Sequence, residues 1–252
     1  MNSNWWSQFK LSKRTQLLRA FLIYAIELLP LRKMDFSHKP RLHKLSQSQA
    51  GQDTFVCETL KKNTKHNYLE IGAGHPINNS NTFLLETAFG WKGFSWDISD
   101  AYINEWRNIR LNPVYIQDAK TINWEVFFQN AGKQFSYLSI DVNSPDNAAE
   151  ILIRFLEFGG RFEICTFEHD AYVSPDHQLK ADKVRILLEK SNYHLIAKNV
   201  KHRWREFEDW WVSSEILGQV NPIFKNQNCE GKNFFSSWSR LANFISVGKN
   251  AI

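Results

Sequence analysis

Residues 67–99 constrain the fold of this chain more than any other stretch of the sequence. An apolar segment that includes Glu70 is followed by a turn built on Gly72 and Gly74, then by a helix-forming segment, a second apolar segment and an acidic residue, Asp97. This order of strand, glycine turn, helix and strand is typical of parallel sheets that bind a ligand beyond the carboxyl ends of their strands. The stretch therefore predicts a pocket for an adenosine-containing cofactor.

Length and composition are those of a globular α/β protein. The chain has 252 residues, 43% of them hydrophobic and 23% charged. This length suffices for one substantial domain with additions, and the composition excludes wholesale disorder. Cys57, Cys165 and Cys229 lie far apart and form no Cys-x-x-Cys pair. This spacing indicates a reducing cytosol and is not that of a structural zinc site.

The net charge of +5 arises largely from basic residues near the N-terminus, between residues 10 and 44. A cluster at one end of the chain favours contact with an anionic surface and differs from the distributed charge of a nucleic-acid groove. We therefore expect no nucleic-acid partner.

The sequence divides at residue 45. Residues 1–45 are predicted to form a helical extension with a basic linker, and residues 46–252 the main domain. The helix core, residues 17–29, stops at Pro30 and is interrupted by Arg19 and Glu27. It is too short to span a bilayer, which needs about 20 apolar residues, and no small-residue cleavage site follows it.

Two interpretations of this helix remain open. In the first, it packs on the domain or on a second copy of the chain in a homodimer. In the second, residues 5–33 contact the inner face of a membrane as an interfacial helix, with Trp5 and Trp6 as anchors. Both agree with a cytoplasmic protein, peripheral at the membrane in the second case.

Beyond residue 46, apolar strand candidates alternate with helical segments. This alternation predicts a Rossmann-like, mostly parallel sheet with helices on both faces. The predicted strands are residues 68–71, 93–96, 113–116, 135–140 and 162–167, with late strands at 193–200 and 210–212; the predicted helices are residues 54–62, 82–89, 101–108, 123–130, 148–157 and 178–191.

The glycine turn favours one class of cofactor. Gly72 and Gly74 allow the backbone to turn tightly against a ligand. The third glycine of a dinucleotide fingerprint is missing and Pro76 follows, which argues against the pyrophosphate of NAD. The acidic Glu70 suits a cofactor with a cationic end, such as the amino acid part of S-adenosylmethionine, and Asp97 is placed to accept hydrogen bonds from ribose hydroxyls.

Three further residues are candidates for cofactor binding. Asp118 and Ala119 follow the third predicted strand, where they are expected to contact the adenine amine. Asn81 is interpreted first as a helix-start residue and second as a ligand contact. The alternative is an ordinary βαβ turn with acidic side chains at the surface.

These motifs together resemble FkbM-type methyltransferases, a branch of the S-adenosylmethionine-dependent enzymes with a Rossmann-like sheet. The resemblance implies S-adenosylmethionine as cofactor. The chain departs from the family in carrying Asp97 where a Glu is frequent, and Val-Asn-Ser-Pro after Asp141 in place of Glu-Gly. The resemblance rests on Gln49-Ala-Gly-Gln-Asp53, Tyr68-Leu-Glu-Ile-Gly-Ala, Ser80-Asn-Thr-Phe-Leu-Leu-Glu86, Gly90-Trp-Lys-Gly93, Tyr137-Leu-Ser-Ile-Asp141 and Thr166-Phe-Glu-His-Asp170.

Acidic residues and a histidine are expected to meet at the reacting end of this pocket. Asp141 ends one apolar strand and Glu168, His169 and Asp170 end the next. We expect His169 to act as a general base because its unperturbed pKa is near neutrality, with Asp141 or Asp170 orienting or replacing it. Two alternatives are that Asp141, Glu168 and Asp170 bind Mg²⁺, and that His169 is structural.

The aromatic segment near residue 210 is a candidate acceptor platform. Trp210 or Trp211 is expected to stack on an acceptor ring, or else to close the hydrophobic core. The preferred function is methylation of a sugar hydroxyl in a surface polysaccharide or a secondary metabolite. An N- or carboxyl-methyltransferase and a non-catalytic cofactor-binding module are the alternatives.

Overall fold

A seven-stranded sheet forms the centre of the protein. The structure, a computed structural model, describes residues 46–60, 65–202 and 204–220. Strand order is β3-β2-β1-β4-β5-β7-β6, with the first five parallel and β7 antiparallel to both its neighbours. The strands are β1 (Asn67–Ile71), β2 (Lys92–Asp97), β3 (Val114–Ile116), β4 (Gln134–Ile140), β5 (Arg161–Glu168), β6 (Tyr193–His202) and β7 (Arg205–Ser213).

Six α-helices are described along the sheet. They are α1 (Gln52–Thr59), α2 (Phe83–Phe89), α3 (Ile103–Ile109), α4 (Trp124–Ala131), α5 (Pro145–Glu157) and α6 (Pro175–Lys190). Local chemistry sets their ends: Ser174 accepts a hydrogen bond from the His177 amide at the start of α6, and Gly90, with φ of 68°, ends α2. The Rossmann-like α/β fold expected from the sequence is confirmed.

Two hydrophobic clusters cover the two faces of the sheet. Because side chains alternate along a strand, neighbouring residues fall in different clusters: Leu69 packs with Trp124 and Phe155, whereas Tyr68 packs with Phe55. The helices thus bury both faces, which is the arrangement that parallel sheets require.

The predicted N-terminal extension, residues 1–45, lies outside the described residues, as does the chain after residue 220. The boundary at residue 45 therefore stays a prediction, as does membrane contact through residues 5–33. Within the described ranges, no helix has both the length and the apolar character needed to cross a membrane.

The strand order places a candidate binding edge at the carboxyl ends of β1 and β4. The order in which the chain adds strands reverses here, because β2 and β3 lie on one side of β1 whereas β4 and β5 lie on the other. Ligands bind at such a switch point in open α/β sheets. Because β7 runs antiparallel to β5, its first residues return to the same edge of the sheet. Glu208 of β7 lies opposite Glu168 of β5 in the strand register. The turn between β6 and β7 therefore borders this edge.

Candidate active site

Gly72 packs the first turn directly on the backbone of β4. Its amide and that of Ala73 both donate to the carbonyl of Trp96, at 2.9 and 3.0 Å. Gly72 has a φ of +86°, and a Cβ there would lie 1.6 Å from the carbonyl oxygen of Asp141. Only glycine fits this position, and it brings the turn against the residue that follows β4.

Gly74 lies two residues on and borders open space. Apart from its chain neighbours, no atom of the described residues lies within 4 Å of a Cβ built there. Its amide donates to Asp97 Oδ2 at 2.7 Å, and its carbonyl accepts from Trp106 Nε1 at 2.9 Å. The turn therefore presents exposed backbone beside a carboxylate, which suits a bound ligand.

Two backbone amides orient the Asp97 carboxylate. While Oδ2 accepts from Gly74, Oδ1 accepts from the amide of Ser99 at 2.7 Å. Each carboxylate oxygen can accept a second hydrogen bond. Asp97 thus has the acceptor capacity for a diol such as that of ribose.

Asp118 and Ala119 lie at the same edge, after β3. The amide of Gln117 donates to the Asp97 carbonyl at 2.9 Å, which ties the two strand ends together. Asp118 Oδ1 accepts from the Lys120 amide at 2.9 Å and caps the short 3₁₀ turn Ala119–Thr121. Ala119 itself is buried in the core.

Glu70 is part of a buried network below the turn. Its Oε2 accepts from Thr82 Oγ1 and from Ser95 Oγ, both at 2.8 Å. Burial raises the pKa of Glu70 to about 7. A cationic ligand would favour its ionised form, so Glu70 fits the predicted role toward an ammonium group.

Arg110 joins this network to α2, a role that sequence reasoning missed. Its Nε pairs with Glu86 Oε2 at 2.8 Å, and its terminal nitrogens donate to Thr82 Oγ1 at 2.8 Å and Ser80 Oγ at 3.3 Å. Polar residues of the Ser80–Glu86 motif therefore hold a buried guanidinium. No local pattern around residue 110 indicated this partner.

Asn81 contains a buried acceptor without a partner. Its Nδ2 donates to Ser139 Oγ at 3.0 Å, but within the described ranges its Oδ1 has no hydrogen-bond partner. Leaving such an acceptor unsatisfied costs about 1–3 kcal/mol. A donor group of a bound ligand would remove that cost, which agrees with the predicted ligand contact.

Asp141 and Glu168 form a carboxyl pair at the ends of β4 and β5. The two side chains are hydrogen-bonded to each other. Burial raises the pKa of Glu168, and Asp141 raises it further; burial also raises the pKa of Asp141. Two neighbouring buried carboxyls do not both ionise readily, so these pKa directions favour a protonated Glu168 beside Asp141.

His169 follows Glu168 in the chain and is buried against Asp209. The side chain is 1% exposed, its Nδ1 accepts from the Ala171 amide at 3.1 Å, and its Nε2 lies 3.2 Å from Asp209 Oδ1. Both ring nitrogens face the protein interior. This geometry favours the structural interpretation of His169 over that of a general base.

The predicted Mg²⁺ site does not form. Throughout residues 46–60, 65–202 and 204–220, no three or more His, Cys, Asp or Glu side chains are arranged to hold a metal ion. Asp141 and Glu168 are hydrogen-bonded to each other, while Asp170 lies in a left-handed turn with φ of 48° whose amide donates to the Phe207 carbonyl at 3.0 Å. As they are arranged here, these side chains do not fit a metal ion.

Trp210 and Trp211 are core residues. Both are 0% exposed, and they belong to different hydrophobic clusters because consecutive residues of β7 face opposite sides of the sheet. Trp210 stacks on Phe55 with ring centroids 4.7 Å apart. The expected acceptor platform is therefore not formed by these side chains, and the alternative of a hydrophobic clasp fits them.

A different aromatic group is exposed at this edge. Trp204 meets Tyr172 edge to face with centroids 5.9 Å apart, and the Arg205 guanidinium lies 5.2 Å from the Trp204 ring and 5.5 Å from the Tyr172 ring. The two tryptophans that the sequence suggested for an acceptor platform are buried, whereas Trp204 of the same segment is exposed. Trp210 and Trp211 are consecutive residues of a strand that is covered on both faces, so both are buried. Trp204 is exposed because it lies in the turn before β7, and no local pattern indicates the position of that turn.

Comparison with solved structures agrees with the fold. Human methyltransferase-like protein 13 in complex with SAH aligns with a TM-score of 0.50 at 13% identity, over 75% of this chain and 88% of that one. Lower scores are found for CalS11, a TDP-rhamnose 3'-O-methyltransferase of calicheamicin biosynthesis (0.47; 9% identity; 80% and 94% covered), and for a protein of the NADB-Rossmann superfamily from Streptococcus agalactiae (0.45; 13%; 82% and 87%).

No family model and no curated protein matches the sequence. At these low identities the structural likeness establishes the fold alone. This chain accordingly has the α/β fold that is also found in the human methyltransferase-like protein.

Proposed function

We propose that this chain is an S-adenosylmethionine-dependent methyltransferase that methylates a hydroxyl group. The observation that carries the proposal is the position of the buried carboxyl pair Asp141–Glu168 against the same glycine turn that opens beside Asp97. Gly72 packs on the Asp141 carbonyl. The charge of Asp97 also contributes to the raised pKa of Asp141. A candidate base and a candidate cofactor site are therefore adjacent.

The residues at the turn fit the parts of this cofactor. Gly74 offers open space for close approach, Asp97 has acceptors for the ribose diol, and Glu70 and the unpartnered Oδ1 of Asn81 suit an ammonium group. Asp118 and Ala119 follow β3 at the same edge of the sheet, which supports the proposed contact with the adenine. When bound, the cofactor supplies a methyl group activated on a sulfonium.

The carboxyl pair supplies what a hydroxyl acceptor requires. As the new bond from the acceptor oxygen to the methyl carbon forms and the carbon–sulfur bond breaks, the hydroxyl proton must be removed. Asp141, whose pKa is raised by burial, accepts that proton more readily than an exposed carboxylate would. Glu168, whose pKa is raised by burial and by Asp141, stays protonated and orients Asp141 through their hydrogen bond.

The finer assignment is to an FkbM-type enzyme that acts on a sugar of a surface polysaccharide or a secondary metabolite. The motifs ending in Asp141 and in Glu168-His169-Asp170 support it. The basic residues between 10 and 44 support a cytoplasmic protein that meets an anionic membrane surface, where lipid-linked glycans are assembled.

The first test separates cofactor binding from transfer. Asp141→Asn keeps the size of the side chain while removing the candidate base, whereas Glu168→Gln keeps a hydrogen-bond donor toward Asp141. We expect methyl transfer from labelled cofactor to fractionated glycans to fall by about 10²–10⁴-fold in Asp141→Asn and to be largely retained in Glu168→Gln. Calorimetry should find S-adenosylhomocysteine affinity within a few-fold of the original in both variants. Asp146→Asn, at an exposed position on α5, is the matched control.

Each outcome has a separate meaning. Full transfer by Asp141→Asn would show that Asp141 is not the base. If S-adenosylhomocysteine did not bind the unaltered chain, the cofactor assignment itself would be wrong. We expect transfer to persist in a chelator, since the carboxyl groups do not gather a metal.

A further inference from the structure

Six of the seven tryptophans in the described part of the chain are at most 6% exposed, whereas Trp204 is 69% exposed. Burying an aromatic side chain is strongly favourable, so an indole held in water forgoes that stabilisation. Two neighbours hold the Trp204 side chain in place, because Tyr172 packs at the edge of the indole and Arg205 lies against its ring. Trp204 is therefore held in an exposed position by its neighbours.

Arg205 gives this group a positive charge. In the described ranges no carboxylate forms an ion pair with it; its neighbours are the Trp204 and Tyr172 rings, and Tyr172 hydrogen-bonds it. A planar guanidinium stacked on aromatic rings keeps its edge donors available for a carboxylate or phosphate. The cluster thus combines an open aromatic face with an anion-binding fork.

The cluster adjoins the carboxyl pair through Asp170. The charge of Asp170 acts on Tyr172 on one side and on Asp141 and Glu168 on the other. The Asp170 amide is bonded to the Phe207 carbonyl, two residues after Arg205 on β7. A ligand held at the cluster therefore lies next to the candidate base.

We propose that Trp204, Tyr172 and Arg205 form an acceptor subsite for a sugar ring that bears an acidic group. The C–H face of the sugar stacks on the open indole, and Arg205 binds the carboxylate or phosphate. This inference rests on the proposed function and adds to it that the acceptor is an anionic, not a neutral, sugar.

Binding of three simple sugars to the full chain, saturated with S-adenosylhomocysteine, tests the proposal by calorimetry or saturation-transfer NMR. The probes are methyl glucuronide, glucose 1-phosphate and methyl glucoside. We expect an anionic probe to bind at least about tenfold more tightly than methyl glucoside, a difference of about 1.4 kcal/mol. The tighter of the two anionic probes identifies the source of the negative charge.

Variants assign the binding to the cluster. Trp204→Ala and Arg205→Gln are each expected to weaken the anionic probe by about tenfold or more, while Trp204→Phe retains part of the affinity. Phe158→Ala is the matched aromatic control, because Phe158 is exposed at the opposite edge of the sheet, before β5. Affinity for S-adenosylhomocysteine should not change in any of them.

The possible failures are distinguishable. If neither anionic probe binds, if methyl glucoside binds equally well, or if Trp204→Ala binds like the unaltered chain, the subsite is overturned while the methyltransferase proposal stands. If S-adenosylhomocysteine does not bind at all, the proposed function fails. Binding of the three probes to the same variants without S-adenosylhomocysteine then tests whether the cluster binds an anionic sugar.

Discussion

Gly72 and Gly74 belong to one turn and both have positive φ, but they meet different surroundings. A side chain at Gly72 would overlap the Asp141 backbone, whereas one at Gly74 would enter open space. The first glycine is required by packing. The second is favoured by its φ of +55°, and a Cβ there would enter the space of the proposed cofactor site.

This contrast predicts opposite phenotypes for two alanine substitutions. Gly72→Ala should lower the free energy of unfolding by about 3 kcal/mol or more, since the strain of a positive φ adds to a backbone clash. Gly74→Ala should cost about 1–2 kcal/mol, for the φ alone, yet weaken S-adenosylhomocysteine binding. Urea unfolding and calorimetry measure the two quantities. Equal binding by Gly74→Ala and the unaltered chain would place the cofactor elsewhere.

At the residue scale, the sequence predicted positions better than orientations. Asp97 and Glu168 are the last residues of their strands, Asp141 directly follows β4, and Glu70 is the penultimate residue of β1. These positions were predictable because an apolar run next to an acidic residue is a local pattern. The orientation of the His169 ring is not determined locally. It depends on Asp209, which lies 40 residues later in the chain.

At the element scale, the end of β5 is held by a buried ion pair between α6 and β7. Arg185 donates to both oxygens of Asp209, at 2.7 and 3.0 Å, and the Asn199 amide adds a third bond at 2.8 Å. Although burial acts to raise it, the contacts with His169 and Arg185 lower the pKa of Asp209 to about 2. The charged network thereby fixes the loop that carries Asp170.

Breaking this ion pair should be costly. Arg185→Met leaves Asp209 buried without its cation and is expected to lower the free energy of unfolding by about 3–5 kcal/mol. Arg185 also pairs with Asp182 at the surface, at 2.7 Å, so Asp182→Asn is the matched control and should cost at most about 1 kcal/mol. Similar urea midpoints for the two variants would show that Asp209 does not depend on Arg185.

Most elements could be predicted because hydrophobic strands and helix formers are local signals. Strand β7 was predicted only over residues 210–212, although it begins at Arg205. The residues missed include Glu206, Glu208 and Asp209, whose charges do not resemble a buried strand. Glu208 and Asp209 are satisfied by Gln52 and Arg185, which lie far away in the sequence, and no short pattern reveals such partners.

At the scale of the whole molecule, several buried carboxyls make stability depend on pH. Burial raises the pKa of Glu70 to about 7 and that of Glu208 to about 8, from 4.5. Between the unfolded and folded values, the native state binds more protons than the unfolded one. Stability therefore falls as pH rises, by about 1.4 kcal/mol per pH unit for each such group.

We accordingly expect the urea midpoint of the ligand-free protein to decrease between about pH 5 and pH 8. Glu208→Gln removes one of the titrating groups while keeping an acceptor for Trp210 Nε1, so its profile should be flatter. Glu157→Gln, at an exposed position, should leave the profile unchanged. A rising midpoint in the unaltered chain would contradict these pKa directions.

The antiparallel return of β7 has a consequence for how such a chain could diversify. Trp210 and Trp211 are buried in β7, while Trp204, in the turn that precedes the strand, is exposed. Substitutions at Trp204 would therefore leave the buried part of the strand in place. Under the proposed function, a related chain could acquire a different acceptor through this turn with no change to its core or to its cofactor-binding residues.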